Sequence, residues 1–239
     1  GDGVDDLGVG SPTDTSAGQN AGKIHIFSGT DLAGGDINSA VATLYGWDNM
    51  QLGKGLSATD IDGDGLGDLI AYSHDRMMPY NYISIQYGGS FGNHSINSID
   101  ATWMLLCGAE PNNASPSGCG LGQNPTRGGT GDFYNNGHMP ADLDGDGYND
   151  LLIADGYADP ESRDEGSVWA IWGRSVRFDG LGLDLDATAS LITNGTSRDE
   201  AMGRNATLAE DADGDGDAEI WLTSDGRGEL YYVEGGPDL

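Results

Sequence analysis

Three stretches of this sequence place carboxylates at one fixed spacing: DIDGDGLGD at Asp60–Asp68, DLDGDGYND at Asp142–Asp150 and DADGDGDAE at Asp211–Glu219. Each carries an acid at positions 1, 3, 5 and 9 and glycine at position 6. Alternate acids on a sharply turned loop converge on a point, and hard oxygen donors at that density suit Ca²⁺; Mg²⁺, which keeps more of its water, suits less well. Glycine at position 6 permits the turn without a Cβ clash. The side-chain ligand sets are then Asp60, Asp62, Asp64 and Asp68; Asp142, Asp144, Asp146 and Asp150; Asp211, Asp213, Asp215 and Glu219. The backbone carbonyls of Leu66, Tyr148 and Asp217 at position 7 complete them. The chain opens inside a fourth copy, GDGVDD, where Asp2 takes position 5, Val4 position 7 (carbonyl) and Asp6 position 9. This gives three complete Ca²⁺ sites and one partial site. Four acids and a carbonyl nearly fill a Ca²⁺ shell, which favours a structural ion over a regulatory or ligand-bridging one.

Other chemistry finds little support. The histidines (His25, His74, His94, His138) show no zinc spacing. Neither cysteine has a nucleophile's His/Asn setting, and a non-enzymatic protein is expected. Trp169–Trp172 alternates along a strand-like run and reads as core packing, with a sugar-stacking platform as the alternative. The net charge of −29, from 39 acids against 10 bases, makes nucleic acid and anionic membrane surfaces poor partners. Acids outside the loops also fit a surface adapted to salt, and both causes can act together. No apolar run approaches the length of a membrane span.

Cys107 and Cys119 flank a stretch containing Pro111, Asn112, Asn113, Pro116 and Gly118. The pair reads as a disulfide pinching off a surface loop, which in the chain-entropy model would contribute about 3 kcal/mol; two buried thiols are the alternative. A disulfide and calcium-type loops both favour an oxidising, extracellular or cell-surface location. Sequons stand at Asn93, Asn113, Asn194 and Asn205.

Strands must hold these loops. Each complete loop runs into an apolar tetrapeptide, Leu69–Tyr72, Leu151–Ala154 and Ile220–Thr223, of the length and bounding of a buried strand. A second β-rich run follows, at Lys23–Phe27, Tyr82–Tyr87, Ser167–Trp172 and Glu229–Val233, and glycine closes it at Gly29, Gly88, Gly173 and Gly235. Weaker fourth runs lie at Ala42–Tyr45, Ala101–Leu105 and Ala189–Thr193. Measured at position 5, the copies are 62, 82 and 69 residues apart, and four short strands per such repeat is the pattern of a propeller blade. The repeats run approximately 1–50, 51–128, 129–200 and 201–239, all within a single β-propeller segment spanning 1–239. An EF-hand is excluded, because position 12 is Ala71, Ile153 or Leu222 rather than a bidentate glutamate.

With its D-x-D-x-D-G-x-x-D loops, Leu52-Gly53, Asn136-Gly137 and Met202-Gly203 before them, and Val9-Gly10-Ser11-Pro12 after the partial one, the chain resembles the FG-GAP repeats of integrin α-subunit β-propellers. The resemblance implies an all-β partial propeller, three and a half to four blades of a seven-bladed ring, so that the sequence reads as part of a larger protein. It implies a calcium-stabilised extracellular module for adhesion, surface assembly or binding of a protein or glycan, or one that joins further blades or subunits. The alternatives are an accessory propeller of a larger secreted enzyme, carbohydrate-active or lipase-type, and a structural subunit of an extracellular filament or surface layer.

Overall fold

The structure, a computed structural model, describes residues 3–31, 36–74, 81–89, 91, 94–95, 102–107, 140–156, 164–178, 181–183, 190–209 and 211–239. Asp2, Cys119, His138, Asn136-Gly137 and the sequons at Asn93 and Asn113 lie outside these residues, and so does the Cys107–Cys119 pairing. Among the described residues all long elements are strands, and they form four sheets.

The first sheet has the order β1-β2-β3-β7, from Leu7–Ser11, Lys23–Phe27, Ala42–Tyr45 and His94–Ser95. The second, β4-β5-β6-β8-β12, contains Gly55–Thr59, Asp68–His74, Asn81–Gln86, Thr102–Cys107 and Leu181–Leu183. The third, β9-β10-β11-β13, contains Pro140–Ala141, Asp150–Asp155, Ser167–Ile171 and Ser190–Asn194. The fourth, β14-β15-β16, contains Met202–Ala209, Glu219–Ser224 and Glu229–Val233. Consecutive strands meander antiparallel, in the expected order of strand, acidic loop, strand, loop, strand and a fourth run. Two short edge strands were not legible in the sequence. They are β7, which pairs parallel with β3, and β12, which borders β8.

Chain contacts divide the protein into two compact units, residues 1–60, 65–106 and 178–182 in one and 61–64, 107–177 and 183–239 in the other. In the first unit Ile24, Ile26, Leu44, Leu52, Leu69 and Ala71 form a buried cluster between the first two sheets. In the second, Leu152, Val168, Ala170, Met202, Ile220 and Leu222 do the same between the last two. Strand β11 is buried throughout, and this accounts for its unbroken apolar run. Trp169 is packed inside, and Trp172 donates from its indole Nε1 to Ser190 Oγ at 2.7 Å, as the core reading of this run expects.

Both units join their two sheets by the same seam. In the first, Leu52 N donates to Ala21 O at 3.0 Å and Gln51 N to Asn20 O at 2.9 Å. In the second, Met202 N donates to Glu165 O and Ala201 N to Asp164 O, both at 2.8 Å. Asn20, Gln51, Asp164 and Ala201 all take left-handed backbone conformations, with φ between 47° and 53°. Gly10, in the Val9-Gly10-Ser11-Pro12 element, shows how close the approach is. A Cβ there would lie 2.1 Å from the carbonyl oxygen of Gly53.

Candidate functional site

Each acidic loop links the first two strands of its sheet, β4 to β5, β9 to β10 and β14 to β15, and its own main chain shapes it. The position-6 amide turns back onto the position-1 carboxylate: Gly65 N to Asp60 Oδ2 at 2.8 Å, Gly147 N to Asp142 Oδ2 at 2.8 Å and Gly216 N to Asp211 Oδ1 at 3.1 Å. The position-5 amide donates to the position-3 carboxylate at 3.2 Å in all three, from Asp64 to Asp62, Asp146 to Asp144 and Asp215 to Asp213. These bonds hold the carboxylates of positions 1 and 3 against the turn. Position 6 takes φ of +84°, +92° and +109°, and an added Cβ there would meet nothing within 4 Å, so that glycine serves conformation alone.

The carboxylates converge as the spacing implies. Ligand oxygens of Asp211, Asp213, Asp215 and Glu219 lie within 4.8 Å of one another; so do those of Asp142, Asp144 and Asp146, and those of Asp60, Asp62 and Asp68. Asp64 and Asp150 are not in these groups. A hard, all-oxygen donor set of three or four acids, mostly half-buried in the second loop and mostly exposed in the third, is the chemistry a Ca²⁺ ion takes. Burial raises the carboxyl of Asp144 above its usual range, and repulsion from Asp146 and Asp142 adds to it.

Position 9 carries a second function that the sequence reading missed. Asp150 is fully buried, and its two oxygens accept from Leu143 N at 2.7 Å and Gly173 N at 2.8 Å. Asp68 Oδ1 accepts from Gly88 N at 2.7 Å and Asp6 Oδ1 from Gly29 N at 3.1 Å. In the last loop, Glu219 Oε2 accepts from Ala212 N at 2.5 Å. Position 9 is therefore a clasp, tying the loop to itself or to the glycine that closes the next strand but one. The signal was present in the sequence as a glycine after each second β-rich run. Each carboxylate oxygen has a further lone pair, so clasping and metal ligation are compatible.

Position 4 is glycine in all three loops; it is crowded in the first two, where position 6 is open, whereas a Cβ on Gly214 of the third would meet nothing within 4 Å. A Cβ on Gly63 would lie 2.5 Å from the Tyr148 ring, and one on Gly145 would lie 2.1 Å from Asp217 Oδ1. The position-7 side chain of one loop thus covers the position-4 glycine of the loop before. Asp217, expected to contribute through its carbonyl, also brings its carboxylate beside the second loop. Burial raises that carboxyl, as do the charges of Asp215 and Asp142. Val4 of the partial copy is exposed.

Four sheets of mainly antiparallel strands among the described residues, with an acidic loop at the same corner of three of them, define an all-β protein built from repeats. Residues 139–171, which contain the second loop and strands β9 to β11, match the FG-GAP repeat family, and the chain carries an FG-GAP repeat there. A search of curated proteins finds no match. Among the described residues no helix is long and apolar enough to cross a membrane.

Proposed function

We propose that this chain is a calcium-stabilised portion of an integrin-like β-propeller. It acts outside the cell or at its surface, without catalysis, as a module for binding, adhesion or assembly. The observation that carries the reading is the convergence of three or more carboxylates in each of three loops at equivalent corners of successive sheets. In this reading Asp60, Asp62 and Asp68, joined by Asp64, hold one ion. Asp142, Asp144 and Asp146 hold the second, with Asp150 beneath them, and Asp211, Asp213, Asp215 and Glu219 hold the third. Bound Ca²⁺ neutralises repulsion among these acids and cross-links the turn, while the chain's own amides already orient positions 1 and 3. A four-sheet arc of a single ring, with the Cys107–Cys119 disulfide in an insertion, completes the proposal. The partner is a protein or glycan, or further blades of the assembly.

Calcium titration by calorimetry, with thermal unfolding in Ca²⁺, Mg²⁺ and excess chelator, tests this. Three ions per chain are expected, with a stability gain of about 2.7 kcal/mol per site at a hundredfold excess over Kd and a weaker response to Mg²⁺. Absence of calcium uptake, with the same melting temperature in chelator, would overturn the reading.

A further inference from the structure

Among the described residues, one contact sets the first loop apart from the other two. Arg177, in the segment after β11, directs its guanidinium into the loop: Nε donates to Asp62 Oδ2, and Nη2 pairs with Asp64 Oδ2 at 2.7 Å. Asp62 at position 3 is buried, while the arginine side chain is 44% exposed, so the cation reaches in from solvent over a carboxylate that has little water of its own. In the second loop the position-5 acid joins the converging group, and so it does in the third; in the first, Asp64 does not.

The repeat supplies an internal comparison. The segment that follows the third strand docks on the position-2 carbonyl of the preceding loop in both places: Arg174 N donates to Ile61 O at 3.1 Å and Gly236 N to Leu143 O at 2.7 Å. Three residues further on stand Arg177 in one case and Leu239 in the other. Leu239 packs against the core cluster of its unit. The same backbone route therefore delivers a guanidinium to the first loop and an aliphatic side chain beside the second.

We infer that Arg177 is a built-in cation that competes with calcium for the first loop, making this the weakest of the three sites and coupling its occupancy to release of the 174–177 segment. A guanidinium fork on two carboxylates supplies the charge neutralisation that an ion would otherwise give. While it holds the arginine, Asp64 stands outside the group of converging oxygens that a metal ligand would have to join. This inference rests on the calcium reading of the loops.

The test is Arg177→Gln, with Arg177→Lys as a second variant that keeps the charge but not the fork. Calorimetric titration with Ca²⁺ alone should show one weak and two stronger sites in the wild type. In Arg177→Gln the weak site should tighten about tenfold, as removal of two partly exposed ion pairs implies, with Arg177→Lys in between. Thermal unfolding in chelator should move the opposite way, Arg177→Gln melting below the wild type because Asp62 and Asp64 lose their counter-ion. Three ions taken up with affinities unchanged by either variant would overturn the competition and leave the calcium reading intact. No uptake by the wild type would overturn both.

Discussion

Replacing Asp150 with asparagine should weaken the protein even when no metal is present. The carboxylate is fully buried, and each oxygen accepts a main-chain N–H, from Leu143 at 2.7 Å and Gly173 at 2.8 Å. Asparagine keeps one acceptor but sets its NH₂ against the other N–H, leaving a buried donor without a partner. That costs about 1–3 kcal/mol, toward the upper end because the lost acceptor is charged. Part is offset, because burial pushes the Asp150 carboxyl up to about 7, with Asp144 and Asp142 repelling it, and a neutral amide escapes both. A net loss of about 1–2 kcal/mol remains, or a fall of about 5 °C in melting temperature for a chain of this size. The assay is thermal unfolding in excess chelator at a pH one unit above that pKa. Asp146→Asn serves as the comparison. Its exposed side chain still offers an oxygen to Tyr148 N and loses only a like charge, so its metal-free melting temperature should hold or rise. In excess Ca²⁺ the order of harm should narrow, because Asp146→Asn then loses a ligand. If Asp150→Asn melts with the wild type in chelator, the clasp has no energetic weight and Asp150 acts through metal alone.

Gly10→Ala should cost about 1–3 kcal/mol by urea unfolding, since its Cβ would press on Gly53 O at 2.1 Å. Gly67→Ala, where an added Cβ meets nothing within 4 Å, should stay within about 0.5 kcal/mol. Burial holds the His25 pKa below its ordinary value of 6.5, and among the described residues its ring Nε2 has no hydrogen-bond partner. Its contribution is fully present above the unfolded pKa and is lost as pH falls through the folded one. With Ca²⁺ in excess, the melting temperature should decline as pH falls below the ordinary histidine value of 6.5, and His25→Gln should flatten that decline. Glu200→Ala should destabilise by about 2–3 kcal/mol, discounted for a partner, Arg227, that is 39% exposed. The loss arises because Thr196 N and the hydroxyls of Ser197 and Ser224 would be left without the acceptor they now share; an unchanged urea midpoint would contradict this.

What the sequence disclosed follows from how locally each feature is encoded. The acidic loops and the strands after them were legible because their signals, alternate acids and short apolar runs bounded by glycine, lie within a dozen residues. Strand β3 falls at Ala42–Tyr45 as expected, because its apolar run is bounded on both sides. The dual use of position 9 was hidden. An aspartate that clasps Gly173, 23 residues away, has the same place in the motif as one that only ligates. Arg177 was harder still, since its partners stand 113 and 115 residues upstream and no local pattern ties an arginine to them. The glycine of position 4 looked like part of the turn, although in the first two loops the side chain of the following loop is what crowds it.

The seam between sheets has a bearing on how such a chain comes to exist. Its bonds, Leu52 to Ala21 and Gln51 to Asn20 in one unit, Met202 to Glu165 and Ala201 to Asp164 in the other, run from main chain to main chain. A joint of this kind places little demand on side-chain identity beyond tolerance of a left-handed backbone, and residues as unlike as glutamine and alanine fill the same place in it. A segment bounded by such joints can be duplicated or exchanged without a matching partner surface having to evolve first. Copies can then diverge, lengthen their links unequally and gain private contacts such as the Arg177 fork, while the geometry of the joint is inherited intact.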